Sequence, residues 1–260
     1  VSNGMRYYAT PAIYTVSPST GYTLGGATVT IGGAGLDNAS SVKFGTTDAT
    51  SFTQVSSSSV TAVVPVLAVG VYDIVLVNPG GTATKSGSFT VSKSPQSTLT
   101  ITSTSGTYGT DVNLTTSGGS TGGSVTYVKN SGPCTLSGST ITPTGVGNCS
   151  ITATMAGNSN YNDVQSSATN VVIAAKAITL KADDKSATYT GSALSVTNSF
   201  TLTGSLVGTD AISSATYTYS TANPTATGTY TITPSVAVFS SGSASNYLIT
   251  YSTEIGRAHV

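Results

Sequence analysis

The residue types that most often perform catalysis are scarce in this sequence and widely separated. Its single histidine, His259, falls in the last residues of the chain, so Ser-His and Cys-His mechanisms and most zinc sites lack a dependable candidate. The acidic residues stand singly except for the adjacent pair Asp183 and Asp184. Neighbouring residues of a strand point to opposite faces, so this pair is not a natural carboxylate dyad. The sequence therefore predicts no catalytic residue and a chain that is not an enzyme.

Asp183 and Asp184 are the candidate ligands for a metal ion. They precede Lys185 in a loop beside a predicted module boundary, and calcium prefers carboxylate oxygens. Calcium needs six or more oxygen ligands, however, and the local sequence offers few. The alternative is a solvated pair of turn-favouring aspartates. We expect no cofactor, with calcium as the one open alternative.

Cys134 and Cys149 can form either a reactive thiol pair or a structural disulfide. Cys134 is in phase with Leu136, and Cys149 is in phase with Ile151 and Ala153, so both sulfurs are expected to face a core. A hairpin between them would bring the two together. We interpret the pair as a structural disulfide, and closing a loop of about 15 residues stabilises a domain by on the order of 3 kcal/mol.

The fourteen tyrosines could act as flat platforms for sugars. Most alternate within predicted strands, as Tyr217 does with Tyr219 and Tyr247 with Tyr251, which favours core or cross-strand packing. The absence of tryptophan also argues against a carbohydrate-binding module. The tyrosines most available to a ligand are those near the start of the chain: Tyr7, Tyr8, Tyr14 and Tyr22.

The elements that would position these residues are short strands. Alternation of large apolar and small polar residues recurs along the chain, as at Val29 and Ile31 and again at Val60, Ala62 and Val64. Glycine and asparagine turns separate the runs, and apolar residues nowhere recur at helical spacing across three turns. This pattern predicts an all-β chain of sandwiches.

Composition limits the partners. Only 7% of residues are charged, against roughly 25% in soluble proteins. The nine basic and nine acidic residues balance without a run of like charge, which argues against nucleic-acid binding. No apolar stretch approaches the ~20 residues that span a bilayer, so any export signal or anchor is expected outside this sequence. Low charge and two neighbouring cysteines indicate an extracellular or bacterial cell-surface location.

Two polar segments divide the chain. SKSPQS at residues 92–97 and AAK at residues 174–176 each follow a predicted strand. The resulting boundaries are a lead-in at 1–10, a first module at 11–92, a middle module at 95–175, a third module at 176–253 and a tail at 254–260. The sequence thus predicts three immunoglobulin-like β-sandwich modules in tandem.

The first module contains SPSTGYTLGGATVTIGGAGL, then SVKFGTTDAT, then GVYDIVLVNPGGTAT. These segments resemble the IPT/TIG family of immunoglobulin-like domains over nearly the whole module. The residues that carry the resemblance are Pro18, Gly21, Gly25, Gly26, Gly33, Gly35, Val42, Phe44, Gly45, Pro65 and residues 78–81.

The middle module carries SGPC, a glycine-flanked cysteine and the sequence AGNSNY. It is similar to a bacterial immunoglobulin-like repeat that occurs in tandem on large surface proteins.

The third module carries ADDK at residues 182–185, GTY at 228–230 and Asn246-Tyr247. It is similar to the MBG modules of bacterial surface proteins. It departs from that family because Thr190 separates Tyr189 from Gly191 and because the final glycine and strand are missing. A module without its last strand should expose unpaired backbone groups to other chains.

The last residues, EIGRAHV at 254–260, resemble the in-frame translation of a common sequencing adapter, which would make the sequence a truncated metagenomic fragment. His259 falls in this tail, so it is set aside as a functional residue.

These resemblances imply a non-catalytic stalk or adhesin segment of a large secreted or surface-anchored bacterial protein. Its partner would be a cell-surface glycan or protein. The alternative is an accessory or glycan-binding region of a secreted polysaccharide-degrading enzyme, because IPT/TIG modules also flank catalytic domains.

Overall fold

The computed structural model describes residues 8–188, 199–220 and 227–259 of the chain. Across these residues the structure is all-β, with one 3-10 turn at Ala244–Asn246. The chain forms two compact units. The first unit holds residues 1–99, 118–125 and 154–165, and the second holds residues 100–117, 126–153 and 166–260. Both units therefore include part of the middle module.

The first module consists of two mainly antiparallel sheets, and the chain passes from one sheet to the other several times. One sheet has the order β1-β3-β7-β6 and the other has the order β2-β9-β8-β4-β5. The strands are β1 (Ala12–Ser17), β2 (Thr20–Tyr22), β3 (Thr28–Ala34), β4 (Ser41–Phe44), β5 (Thr47–Asp48), β6 (Ser51–Ser56), β7 (Ser59–Val63), β8 (Gly70–Asn78) and β9 (Gly81–Ser92). Only β2 is parallel to its neighbour, β9. The result is a β-sandwich.

The predicted apolar alternation forms the core of this sandwich. Val29, Ile31, Val60, Ala62 and Val64 are all buried. Burying such side chains contributes roughly 1.5–3 kcal/mol each. The core also contains an edge-to-face pair of aromatic rings, Phe44 and Phe89, with centroids 5.1 Å apart.

The middle module has the same kind of strands in smaller sheets. Their orders are β10-β13, β12-β16-β15 and β11-β19-β17-β14, and β18 pairs with the end of β17. The strands are β10 (Leu99–Ile101), β11 (Ser105–Thr107), β12 (Val112–Asn113), β13 (Thr116–Gly118), β14 (Val125–Ser131), β15 (Cys134–Ser137), β16 (Thr140–Pro143), β17 (Gly147–Met155), β18 (Val164–Gln165) and β19 (Thr169–Ala174). Ile141, Ile151 and Val171 are completely buried.

The third module continues from β19 after a single residue, Ala175. Its sheets have the orders β22-β20-β25 and β21-β26-β24-β23. The strands are β20 (Lys176–Ala182), β21 (Lys185–Thr188), β22 (Phe200–Thr203), β23 (Ala211–Tyr219), β24 (Gly228–Ser241), β25 (Tyr247–Ser252) and β26 (Glu254–His259). Its described core includes Ile178, Leu180, Ala182 and Ile232. Tyr189 and Gly191 lie outside the described residues.

The expectation that the third module lacks its last strand is wrong for this structure. Residues of the tail form β26, which is antiparallel to β24 and parallel to β21. Only Thr253 separates β26 from β25, so the chain reaches the open edges directly. Backbone pairing does not depend on side-chain identity, which is why six residues excluded from the module can occupy this position.

Candidate functional site at the module joints

The first predicted linker is hydrogen-bonded to a loop of the middle module. The backbone N–H of Ser94 donates to the carbonyl of Asn160 (2.7 Å), and the N–H of Asn162 donates to the carbonyl of Ser94 (3.0 Å). Ser94 also forms an isolated parallel bridge with Tyr161. Ser94 is itself buried. This segment is therefore a short piece of β-structure instead of a solvated connection.

Two side chains reinforce this first joint. The Thr23 hydroxyl donates to the carbonyl of Asn160 (2.8 Å), and Thr23 is only 1% exposed. The Gln96 side chain donates from Nε2 to the carbonyl of Asn162 (2.8 Å) and accepts from the N–H of Ser120 (2.9 Å) at Oε1. The loop that contains Asn160 is fixed in turn by the Asn158 side chain, whose Oδ1 accepts from the N–H of Asn160 (2.8 Å). The contacts of Thr23, Ser94 and Gln96 with residues 160–162 together form the first joint.

The second joint is built around one carboxylate. Oδ2 of Asp210 accepts hydrogen bonds from the hydroxyls of Tyr108 (3.0 Å) and Tyr247 (2.6 Å). Tyr108 belongs to the middle module, and the other two residues belong to the third. The rings of Tyr108 and Tyr247 pack edge to face with centroids 5.6 Å apart, and Phe239 stacks on Tyr247 at 5.3 Å.

Further contacts extend this second joint. Oδ1 of Asn246 accepts from the backbone N–H of Val146 in the middle module (3.1 Å). The Tyr247 hydroxyl accepts from the N–H of Val207 (2.8 Å), which is within the third module. Gly109 lies so close to the Val207 side chain that a Cβ at position 109 would overlap it. A glycine at position 109 is therefore required both by this approach and by its φ of 79°.

The electrostatics of the second joint favour neutral phenols. Burial, with the hydrogen bond to Asp210, raises the pKa of Tyr247 to about 12. Burial and the same carboxylate raise the pKa of Tyr108 above its ordinary value. A charged phenolate beside Asp210 would place two negative charges in a largely buried site, and each hydroxyl is therefore held as a donor at neutral pH.

Cys134 and Cys149 form the predicted disulfide, with Cα atoms 6.0 Å apart. Both residues are buried. Cys134 begins β15, which pairs with β16 in the antiparallel hairpin expected between the two cysteines, and Cys149 lies on the next strand, β17. Strands β15 and β17 belong to different sheets of the middle module. The bond therefore joins two sheets and not the two arms of a hairpin.

The structure brings Asp183 and Asp184 to different environments. Both oxygens of Asp183 accept hydroxyl bonds, from Ser199 (2.5 Å) and Thr201 (2.6 Å). These bonds lower the pKa of Asp183 below its ordinary value. Across residues 8–188, 199–220 and 227–259, no three His, Cys, Asp or Glu side chains converge in a way that could hold a metal ion. Calcium binding at this pair stays an untested prediction.

Asp184 lines a shallow open cleft of about 350 Å³ together with residues of the tail. Glu254 pairs with Lys181 there, and that pairing, with a hydrogen bond involving Asp184, lowers the pKa of Glu254. The lining side chains carry both signs of charge: Asp184, Lys185, Ser186, Glu254, Ile255 and Arg257. Because three of these residues are in the tail, we assign the cleft no function.

The tyrosines divide as the alternation pattern indicates. Tyr247 is buried, and the Tyr251 hydroxyl accepts from the N–H of Ala237 (2.9 Å). Tyr14 and Tyr22, which the sequence marks as available to a ligand, are 62% and 52% exposed. Tyr7 lies outside the described residues.

Sequence reasoning missed the residues of the joints. Tyr108 and Asp210 are 102 residues apart, so no local pattern connects them. One signal was present: an Asn-Tyr pair occurs in both of the later modules, at 160–161 and at 246–247. Both pairs lie in the loops that contact the preceding module.

Family models find two known domains in the chain. Residues 11–92 match the IPT/TIG domain, and residues 178–255 match the MBG domain (YGX type). These matches confirm the resemblances of the first and third modules. The similarity of the middle module to a bacterial repeat stays a prediction, as do the module boundaries. The matched domains are non-catalytic immunoglobulin-like modules, and they suit a surface or accessory segment.

Several solved structures are similar to the chain at low identity. The plexin A4 extracellular region is 21% identical over 63% of this chain and 18% of its own, with a TM-score of 0.30. SGBP-B from a xyloglucan utilization locus in Bacteroides uniformis is 15% identical over 62% of this chain and 49% of its own (TM-score 0.28). The Ig1-2 module of the Drosophila receptor phosphatase DLAR is 14% identical over 63% of this chain and 98% of its own (TM-score 0.25). The chain thus spans less than half the length of plexin A4 and of SGBP-B.

No curated protein sequence matches the chain. Among the described residues, no helix has the length and apolar character that crossing a membrane requires.

Proposed function

We propose that this chain is a non-catalytic stalk and adhesion segment of a large secreted or surface-anchored bacterial protein. Its modules transmit tension between the parts of the protein on either side, and its ligand is a cell-surface glycan or protein. The matched domains and the disulfide support an extracellular or surface location.

The observation that carries this proposal is the structure of the two connections. One is a single residue, Ala175, between two strands. The other includes Ser94, which is buried and hydrogen-bonded on both sides to the loop at Asn160 and Asn162. Flexible linkers of glycine and serine would let modules move independently. Short, hydrogen-bonded connections of this kind resist the separation of neighbouring modules. A segment that transmits tension needs this resistance.

Single-molecule stretching tests the proposal directly. The chain is tethered by its ends and pulled, first oxidised and then reduced. We expect discrete unfolding events, because each sandwich must lose its sheet hydrogen bonds together. Reduction should lengthen one event by about 50 Å, because the 15-residue separation behind the Cys134–Cys149 bond then becomes extensible at ~3.4 Å per residue.

The double variant C134A/C149A is the matched control, since it should show the longer event under both conditions. A chain that extends smoothly without force peaks would refute a load-bearing role.

Glycan binding is the second candidate function, and the exposed rings of Tyr14 and Tyr22 favour it. An exposed tyrosine offers an apolar face for a sugar ring. Screening the chain against surface and plant polysaccharides, with the variant Y14A/Y22A beside it, separates the two functions. Binding that the variant loses would support an accessory glycan-binding region.

A further inference from the structure

The hydroxyls that cross the two joints occupy the same topological position. In the first module, β2 is parallel to the last strand β9, and the next residue, Thr23, donates its N–H to the carbonyl of Ser92 (3.0 Å). In the middle module, β11 is parallel to the last strand β19, and the next residue, Tyr108, donates its N–H to the carbonyl of Ala174 (2.9 Å). Each of these residues thus follows a short parallel strand and is fixed to the end of its module.

The short strands are also alike in their side chains. Each has a glycine at its centre, Gly21 or Gly106, where a Cβ would overlap an apolar side chain of the same module. Gly21 approaches the ring of Phe89, and Gly106 approaches Val112. This close approach holds the strand against the core. The residue that follows it is thereby placed at a fixed point of the module's end.

The acceptors on the following module also correspond. Thr23 donates to the carbonyl of Asn160, in the loop with the first Asn-Tyr pair. Tyr108 donates to Asp210, whose carboxylate also binds Tyr247 of the second pair. A backbone N–H also donates at each joint: Ser94 N–H to the carbonyl of Asn160, and Val146 N–H to the side-chain Oδ1 of Asn246. In both joints, an oxygen held by the Asn-Tyr loop receives a hydroxyl.

We propose that this position is a docking surface by which a module binds the module that follows it. We call the two side-chain groups, on Thr23 and Tyr108, the docking hydroxyls. The partner is the Asn-Tyr loop of the next module, which supplies the acceptor itself at the first joint and binds the acceptor Asp210 through the Tyr247 hydroxyl at the second. The surface works in one direction: the donor belongs to the earlier module and the acceptor to the later one. In the third module the corresponding strands are β21 and β26, and the position after β21 lies outside the described residues.

The second joint provides a reporter bond that crosses it. The Val146 N–H donates to Oδ1 of Asn246, and neither atom of this bond belongs to Tyr108 or Asp210, although the Asn246 side chain also interacts with the Tyr108 hydroxyl. If the docking hydroxyl holds the joint closed, Tyr108→Phe should open this bond more often. A hydrogen bond to a charged acceptor is worth enough to raise the opening equilibrium by about tenfold or more. Amide exchange of the full chain, measured by NMR residue by residue, reads that equilibrium.

Tyr127→Phe is the matched control. The Tyr127 hydroxyl also donates one hydrogen bond, to the carbonyl of Leu114 (3.3 Å), but that bond stays within the middle module. We expect Tyr108→Phe, and not Tyr127→Phe, to speed exchange at Val146 about tenfold. Exchange at the core amide of Ile151 should not change. Unchanged exchange at Val146, or a rise in parallel with Ile151, would overturn the proposal.

The first joint is tested in the same way. Thr23→Val keeps the shape of the side chain and removes the hydroxyl, and the reporter is the Ser94 N–H. The control is Thr61→Val, because the Thr61 hydroxyl donates to the carbonyl of Thr53 and that bond lies within the first module. A neutral hydrogen bond predicts a smaller effect, about fivefold, at Ser94. Ser94 exchange that is equal in both variants would contradict the docking role of Thr23.

The inference deepens the proposed stalk function, because docking between neighbours is what would make tandem modules carry load together. The two can fail separately. Unchanged amide exchange in both variants would refute the docking role of the two hydroxyls, and force peaks could still support the stalk function. Smooth extension without force peaks would refute the stalk function, and a selective rise in exchange at Val146 could still support docking.

Discussion

One oxygen atom, Oδ2 of Asp210, accepts hydrogen bonds from two phenols that are 139 residues apart in the sequence. The carboxylate can accept both because an ionised carboxylate has only acceptor sites. Each phenol must therefore keep its proton to serve as a donor. The two hydrogen bonds to Asp210 are therefore lost only when the tyrosines ionise, which happens well above neutral pH.

Alkaline pH should weaken the second joint. The pKa of Tyr247 is about 12 in the folded chain, against an ordinary value of 10.0. A folded-state pKa that is raised contributes stability that is complete below pH 10.0 and is lost as the pH rises towards about 12. We expect the denaturant midpoint of the chain to fall across this window. The variant Y247F should start lower and change less, whereas Y14F, which alters an exposed ring, should follow the parent chain.

Acidic pH should act through Asp183. Its pKa is lowered by the hydroxyls of Ser199 and Thr201, so its contribution to stability is present above the ordinary value of 3.8 and is lost as the pH falls through the lower folded value. Asp183→Asn should destabilise the chain by about 1 kcal/mol at pH 7.

That difference should shrink in urea unfolding below pH 3.8. Asp48→Asn is the control, since its pair with Lys43 is exposed and such pairs contribute little. If Asp183→Asn lowered the free energy of unfolding by the same amount at every pH, the acid sensitivity would not come from the Asp183 carboxylate.

At the scale of elements, the middle module is the one whose sheets are covalently joined. The bond from β15 to β17 crosses between a three-stranded and a five-stranded sheet. A sandwich of short strands buries limited apolar area, so restricting its unfolded chain matters more than in a larger core. The module that is contacted on both sides is thus also the module with a covalent cross-link.

Removal of this bond should destabilise the middle module. The variant C134A/C149A is expected to lose about 3 kcal/mol of unfolding free energy. Chemical denaturation followed by amide exchange would locate the loss in β15 to β19. A loss spread equally over the first module would show that the bond acts on more than its own sandwich.

At the scale of the whole chain, each compact unit combines a terminal module with part of the middle one. The third module also takes its last strand from the tail. Glu254–His259 contributes backbone pairs on both sides, while Ile255 remains 40% exposed. The tail therefore contributes mainly backbone hydrogen bonds that complete the sheet, and its Ile255 side chain adds little to the core.

Deletion of residues 254–260 should expose the facing edges of β21 and β24. Unpaired edges bind other chains, so we expect concentration-dependent association in sedimentation velocity experiments. Ile255→Thr keeps the backbone and is the matched control, which should remain monomeric. A deletion variant that stays monomeric at high concentration would show that the edge is protected by other means.

Sequence patterns predicted the fold far better than the joints. The alternation at Val29, Ile31 and Val60 depends on strand geometry alone, and it correctly marks buried positions. The sequence contains two cysteines in core-facing phase, which predicted the disulfide. It did not predict that the bond joins two different sheets. Tyr108 and Asp210 gave no local signal because their contact exists only after two sandwiches have formed. The hydroxyl partners of Asp183 are 16 and 18 residues away in the sequence, so no local pattern predicts them, and calcium binding there stays an untested alternative.

The single residue between β19 and β20 also limits how such chains can be recombined. A gene fusion that cuts at Ala175 would separate Tyr108 from Asp210 and expose the buried rings of Tyr108 and Tyr247 to water. A chimera that keeps Asp210 and the Asn246-Tyr247 loop together with a preceding module bearing Tyr108 would retain the whole contact. Module swaps made at the linker are therefore expected to be less stable than swaps that keep both sides of this contact together.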